Sequence, residues 1–147
     1  MLICDTSGLL ALADGDDPAH HRVARAFARA EPPYVVSPLV LAEVDHLLRV
    51  RAGGSNARAA LRVFTSGQFE VAALASDEVR AAIDLDERHG DLNLGLTDCT
   101  VMVLAERFRT VDLLTLDERG FRAVKPPHGE SFRLLPADAD ARREIEE

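Results

Sequence analysis

Apolar positions along the chain form short continuous runs, separated by longer stretches that repeat with a helical period. Leu2-Ile3-Cys4, Tyr34-Val35-Val36, Phe69–Leu74, Val111–Leu116 and Ser131–Leu135 are the strand candidates. Runs that are apolar at consecutive positions indicate strands covered on both faces, as in a parallel sheet. Helices are predicted between them. A short one spans Gly8–Ala13, with Thr6 or Ser7 as its cap. Asp16-Asp17-Pro18 opens a second, with Ala19, Val23, Ala26, Phe27 and Ala30 inward, and Pro32-Pro33 ends it. Ser37-Pro38 starts a helix to about Arg51, closed by Gly53-Gly54 and followed by another over Ser55–Ser66. Ser76 to His89 and Thr97 to Phe108 complete the set, and Pro126-Pro127 with Gly129 marks a loop. Strands that alternate with helices predict an α/β fold with a mainly parallel sheet.

Composition narrows the class. At 147 residues and 47% hydrophobic, the chain builds one domain with a real core. Asp and Glu exceed Lys and Arg, 25 to 17, for a net charge of −8. That balance argues against holding nucleic acid or a membrane surface by bulk positive charge. Cys4 and Cys99 lie in apolar runs without metal-type spacing, so buried reduced thiols are expected. No run reaches the ~20 apolar residues of a membrane span. The start has no basic segment of the signal-peptide kind, so a cytoplasmic protein is expected. Composition shifts at the end. Residues 137–147 carry five acids against Arg142 and Arg143 and read as an acidic tail, frayed or a short solvated helix, after a domain over 1–136.

Within this pattern, acids at four places need explaining. Asp5 ends the first buried strand, where open α/β sheets bind ligands, although a plain helix cap would account for it equally. Glu43 lies four residues from both Leu39 and Leu47, so it interrupts an apolar stripe or snorkels at its edge. Asp98 follows Thr97, read as the cap, and has Val101 and Met102 on its own face. This places it inward at a helix start that favours negative charge. Asp117 ends the fourth strand, or simply makes a turn. The set includes no Cys, and no His pair has ligand spacing. An all-oxygen site of this kind suits Mg²⁺ or Mn²⁺ rather than Zn²⁺.

Asp5-Thr6-Ser7, Leu41-Ala42-Glu43-Val44-Asp45, Leu94-Gly95-Leu96-Thr97-Asp98 and Thr115-Leu116-Asp117 together resemble the motifs of PIN-domain ribonucleases, and more narrowly of VapC-type toxins of bacterial toxin–antitoxin pairs. The resemblance spans nearly the whole chain and is most specific from Leu94 to Pro136. It implies a PIN-like three-layer α/β/α sandwich with a mainly parallel central sheet. It further implies Mg²⁺- or Mn²⁺-dependent endonuclease action on RNA, a homodimer, and inhibition by a VapB-type antitoxin. Asp5, Glu43, Asp98 and Asp117 match the family's acidic quartet, with Asp5, Asp98 and Asp117 as metal ligands. Thr6 and Thr115 match hydroxyl positions near the metal, and Asp91 is a candidate outer contact. Cys99 departs from a position where Ala is common.

The mechanism expected from this reading is in-line hydrolysis by an activated water, leaving a 5′-phosphate and a 3′-hydroxyl. Because 16 of the 17 basic residues are Arg, local arginines rather than the global field would bring in RNA. Arg119 and Arg122, near Asp117, are the contact candidates, against the plainer reading of surface ion pairs. The apolar residues around Val23–Phe27 and Leu61–Phe64 present either an antitoxin groove or ordinary core. The rivals are a catalytically silent PIN scaffold that binds RNA or protein, and a PIN nuclease that acts on DNA. A haloacid-dehalogenase-like enzyme would need an acid where Ser7 stands.

Overall fold

A computed structural model describes residues 1–140. The chain runs β1 (Leu2–Cys4), α1 (Thr6–Ala13), α2 (His20–Arg29), β2 (Tyr34–Val36), α3 (Pro38–Phe64), β3 (Phe69–Val71), α4 (Ser76–Arg88), α5 (Leu96–Arg107), β4 (Asp112–Leu114), α6 (Glu118–Ala123) and β5 (Arg133–Leu135). The strands form one sheet in the order β3-β2-β1-β4-β5, parallel throughout. In register, Ile3 stands opposite Val35 on one side and Leu113 on the other. Every residue of β1 and β2 is buried, so helices cover both faces and the fold is a three-layer α/β/α sandwich.

Topology fixes where a site belongs. The chain builds outward from β1 through β2 to β3, then crosses back to add β4 and β5 on the other side. Strand order therefore reverses between β1 and β4, and ligands of open α/β sheets bind at the carboxyl ends of strands at such a point. Asp5 follows β1, and Thr115 to Asp117 follow β4.

Several local expectations are corrected. Helix α1 begins at Thr6, with Asp5 at its N-cap position, so Thr6 and Ser7 lie inside the first turn rather than capping it. Helix α2 begins at His20, two residues beyond Pro18, because the Asp17 carboxylate accepts the Ala19 N–H at 2.8 Å and holds a turn there. The two helices expected either side of Gly53-Gly54 are both present, because Gly53 (φ 84°, ψ 164°) is non-helical and divides α3 there. Ser37 caps α3 by accepting the Leu39 N–H at 3.2 Å. Helix α5 starts at Leu96, with Gly95 rather than Thr97 at its N-cap position. Helix α6 was not anticipated: six residues are too few to show a period, and it buries one large side chain, Phe121, edge-on to Phe132.

Helix α5 is apolar on several sides and packs between the sheet and α4. Cys99, Val101, Met102, Leu104 and Ala105 are all buried. Residues 137–140 of the expected tail form turns, and Asp138 there accepts the Leu134 N–H at 2.8 Å. Residues 141–147, where the frayed end was expected, lie outside the described residues.

Candidate active site

The end of β1 is tied to the end of β4 by side chains that are distant in sequence. Backbone pairing comes first, with the Asp5 N–H donating to the Leu114 carbonyl at 2.9 Å. Asp5 is 2% exposed, and its Oδ2 accepts the Thr115 hydroxyl at 2.7 Å and that of Ser7 at 3.3 Å. Thr115 Oγ1 also accepts the Asp117 N–H at 3.0 Å, while Ser7 Oγ accepts the Leu116 N–H at 2.9 Å. Asp5 Oδ1 and the Thr6 hydroxyl are buried without any protein partner. Lone pairs in that state call for a ligand or an ion.

The other acids approach from separate elements. Asp98 lies half-buried in the first turn of α5. The turn before it depends on Gly95, whose φ of 86° disfavours an L side chain and whose N–H donates to Asp86 Oδ1 of α4 at 3.0 Å. Asp117 caps α6 through Oδ1, which accepts the Gly120 N–H at 3.4 Å. The simple turn role is thus real and coexists with a place in the site.

Electrostatics shows which acids share a space. Burial first, and then the charges of Asp5, Asp117 and Glu43, together push the Asp98 carboxyl up from 3.8 to about 7. Burial also raises Asp5, against the hydrogen bonds from Thr115 and Ser7, with repulsion from Asp117 adding to the rise. Among the described residues none of these four acids has an ion-pair partner. They are electrostatic neighbours without being gathered at ligand distance. Among the described residues, no group of three or more His, Cys, Asp or Glu side chains is set close enough to grip an ion as it stands. The donor chemistry still fits a hard cation, because everything presented is carboxylate or hydroxyl oxygen. The thiols are buried, with Cys99 pushed up to about 11 by desolvation, then by Asp86 and Asp98.

Some expectations fail here. Glu43 does not interrupt a buried stripe: the buried face of α3 is Val40, Val44 and Leu48, and Glu43 is exposed beside it. A spacing of four allowed either of two adjacent stripes, and packing selected the other one. Its charge nevertheless reaches Asp98. Asp91 is exposed on the 3₁₀ turn Gly90–Leu92 and is not among the charges acting on Asp5 or Asp98. Arg122 is engaged within the protein. Its guanidinium holds Glu118 and Asp138, each at 2.8 Å, which fastens α6 to the turn after β5. Arg119 is exposed, with no hydrogen bond or ion pair to another described residue. The bridging role of Ser7 was missed. The Asp-Thr-Ser run was its only sequence signal, and its partners lie more than 100 residues away.

Two predictions arise from this geometry. Thr115→Val removes the donor that fixes Asp5 Oδ2, and a divalent ion held by these acids would then bind ~10–100-fold more weakly, the usual cost of losing an outer partner of a metal site. Metal titrations of both proteins check it. The second concerns pH. A carboxyl raised in the folded state binds its proton more tightly there than in the unfolded chain. The contribution of Asp98 to metal-free stability is therefore full below the unfolded value of 3.8 and is lost as pH rises through about 7. In EDTA, Tm is expected to be several degrees higher at pH 5.5 than at pH 8, and Asp98→Asn should remove most of that difference.

Comparison with known proteins places the chain in a family. Residues 2–126 match the PIN domain family. The chain is 37% identical over 135 residues to Ribonuclease VapC26 of Mycobacterium tuberculosis, covering 92% of this chain and all of that protein. The crystal structure of M. tuberculosis VapC20, described as a sarcin–ricin-loop-cleaving toxin, superposes with a TM-score of 0.75 at 25% identity, over 80% of this chain and 90% of that one. A toxin–antitoxin complex from Klebsiella pneumoniae shares the fold, with a TM-score of 0.64 at 19% identity over 84% and 92% of the two chains. With acids at the strand-order reversal and a family match along most of its length, this chain belongs to the PIN-domain family.

Proposed function

We propose that this protein is a Mg²⁺- or Mn²⁺-dependent endoribonuclease, the toxin of a VapBC-type pair, acting in the cytoplasm. What supports the reading is that Asp5, Asp117 and Glu43 all act electrostatically on Asp98 near the β1–β4 reversal, with no ion-pair partner among the described residues, in a chain 37% identical to a ribonuclease. Asp5, Asp98 and Asp117 would hold the ion, with Glu43 at the rim. When bound, the ion supplies positive charge to the scissile phosphate and lowers the pKa of the attacking water. The chain does the positioning. Thr115 and Ser7 occupy Asp5 Oδ2, which leaves Oδ1 as the free donor, and the Thr6 hydroxyl lies beside it in sequence, equally unpartnered. Asp98 must give up its proton to contribute charge, so cleavage should strengthen as pH rises toward 8. Arg119, exposed two residues after Asp117, is free to meet a phosphate oxygen.

An antitoxin helix has a place to dock. A groove of about 750 Å³ runs between α1, α2 and the second half of α3, lined by Leu12, Phe27, Leu48, Ala60, Phe64 and Phe69. Arg51 at its edge lies 3.8 Å from Asp14 and 3.7 Å from Asp17. Apolar walls with a charged rim suit an amphipathic helix. The proposal includes a homodimer, which light scattering checks. The deciding test is cleavage of total RNA by the purified protein. Cutting is expected in Mg²⁺ or Mn²⁺ and none in excess EDTA, and undiminished cutting in EDTA would overturn the reading.

A further inference from the structure

A cavity of about 290 Å³ opens between the end of α4, the middle of α5 and the loop from α6 to β5. This is the small end of the ~300–1,000 Å³ range of ligand pockets, the scale of one nucleotide rather than of a protein helix. Its floor is apolar, with Met102, Val124 and Phe132 all buried. Its walls carry Arg88, His89 and Lys125, none with an ion-pair or side-chain hydrogen-bond partner among the described residues. Lys125 is the chain's one lysine. In a protein of net charge −8, three unpaired basic side chains around an apolar floor are a local exception. Among the described residues, Glu106 is the only acid on the wall.

Position ties the cavity to the acids. Asp98, Met102 and Glu106 follow one another at intervals of four on α5, so they share one face of that helix. Met102 lies one turn, ~6 Å, along the axis from Asp98. Asp117 caps α6, and Val124 and Lys125 follow directly on the end of that helix. Both helices therefore lead from the acids to the cavity.

We propose that this cavity is a subsite for the RNA nucleotide next to the cleaved phosphodiester, with its base on the Met102–Val124–Phe132 floor and its phosphate held by Arg88 and Lys125. The inference rests on the reading of the acid cluster as a ribonuclease site. Glu106 offers an acceptor to a ribose hydroxyl, which single-stranded RNA presents and DNA lacks. His89 adds a donor beside Arg88.

The test uses the full chain carrying Asp5→Asn, in Mg²⁺, with a fluorescein-labelled random-sequence RNA hexanucleotide as the probe. Arg88→Ala with Lys125→Ala is expected to weaken binding tenfold or more and to flatten the salt dependence by about one to two phosphate contacts. Arg25→Ala, an exposed arginine on α2, should leave binding unchanged. Wild-type affinity in the double variant, or equal weakening by Arg25→Ala, would overturn the subsite. In the active chain, the double variant should raise KM for RNA with little change in kcat. A chain that cuts RNA with KM unmoved by the double variant retains the nuclease reading and loses the subsite. A chain that binds RNA through Arg88 and Lys125 but cuts none retains the cavity as a binding site and loses the nuclease reading.

Discussion

Asp5→Asn is expected to abolish RNA cleavage while making the metal-free protein more stable. Asp5 is a nearly fully buried carboxylate whose Oδ2 is held by Thr115 and Ser7 and whose Oδ1 has no partner. Its charge is disfavoured by burial and by Asp117. An amide keeps the shape and can still accept the Thr115 hydroxyl, but it removes the charge that a divalent ion needs. Turnover should fall by more than the ~10–100-fold typical of losing an outer partner of a metal site. At pH 8 in EDTA, Tm should rise by several degrees, because one of a set of mutually repelling carboxylates is gone. The opposite signs make the result diagnostic: a misfolded variant would lose both activity and Tm. Cleavage at the wild-type rate by the purified variant would sink the assignment of Asp5.

Gly8→Ala is expected to be the most damaging of the small substitutions. A Cβ at position 8 would stand 2.5 Å from the Leu114 carbonyl oxygen and 2.8 Å from its carbonyl carbon. These are backbone atoms of β4, which cannot rotate aside as a side-chain tip would. Helix α1 would have to lift from the sheet, or β4 would have to shift, and overpacking of this kind costs about 1–3 kcal/mol. For a domain of this size that corresponds to a fall in Tm of roughly 2–12 °C. Activity should fall further than stability alone predicts. The same displacement separates Asp5 and Ser7, at the start of α1, from Thr115 at the end of β4. Thermal melts and cleavage assays on one preparation measure both effects. An unchanged Tm would show that β1 and β4 are less rigidly coupled than their shared hydrogen bonds indicate.

Much of the architecture was legible from local pattern. Strands buried on both faces announce themselves as unbroken apolar runs, and β1 and β2 appeared at their observed residues. Helices of ten or more residues show their period, so α4 and α5 were placed to within a residue or two. Helix α6 was illegible because six residues complete less than two turns. Glu43 shows the limit of spacing arguments: a residue beside a stripe and one within it differ by a rotation that only packing against α1 and the sheet decides. Arg122 shows the limit of composition. Its acidic neighbour on the helix was visible, but Asp138, its second partner, reaches it only through the turn after β5.

The sequence alone determined the alternation of strands and helices, the all-oxygen chemistry of the candidate site and the order of its acids. Those features depend on residue type and short-range period, which the chain carries wherever it folds. Tertiary structure decided that β1 and β4 are neighbours, and so that Asp5 lies beside Thr115, 110 positions away. It decided that Ser7 bridges the two strand ends instead of capping a helix. It also decided which charges act on Asp98 and which, like that of Asp91, do not. The reason is physical: strand order and the approach of helices are set by burying every apolar face at once, a condition on the whole chain that no local window contains.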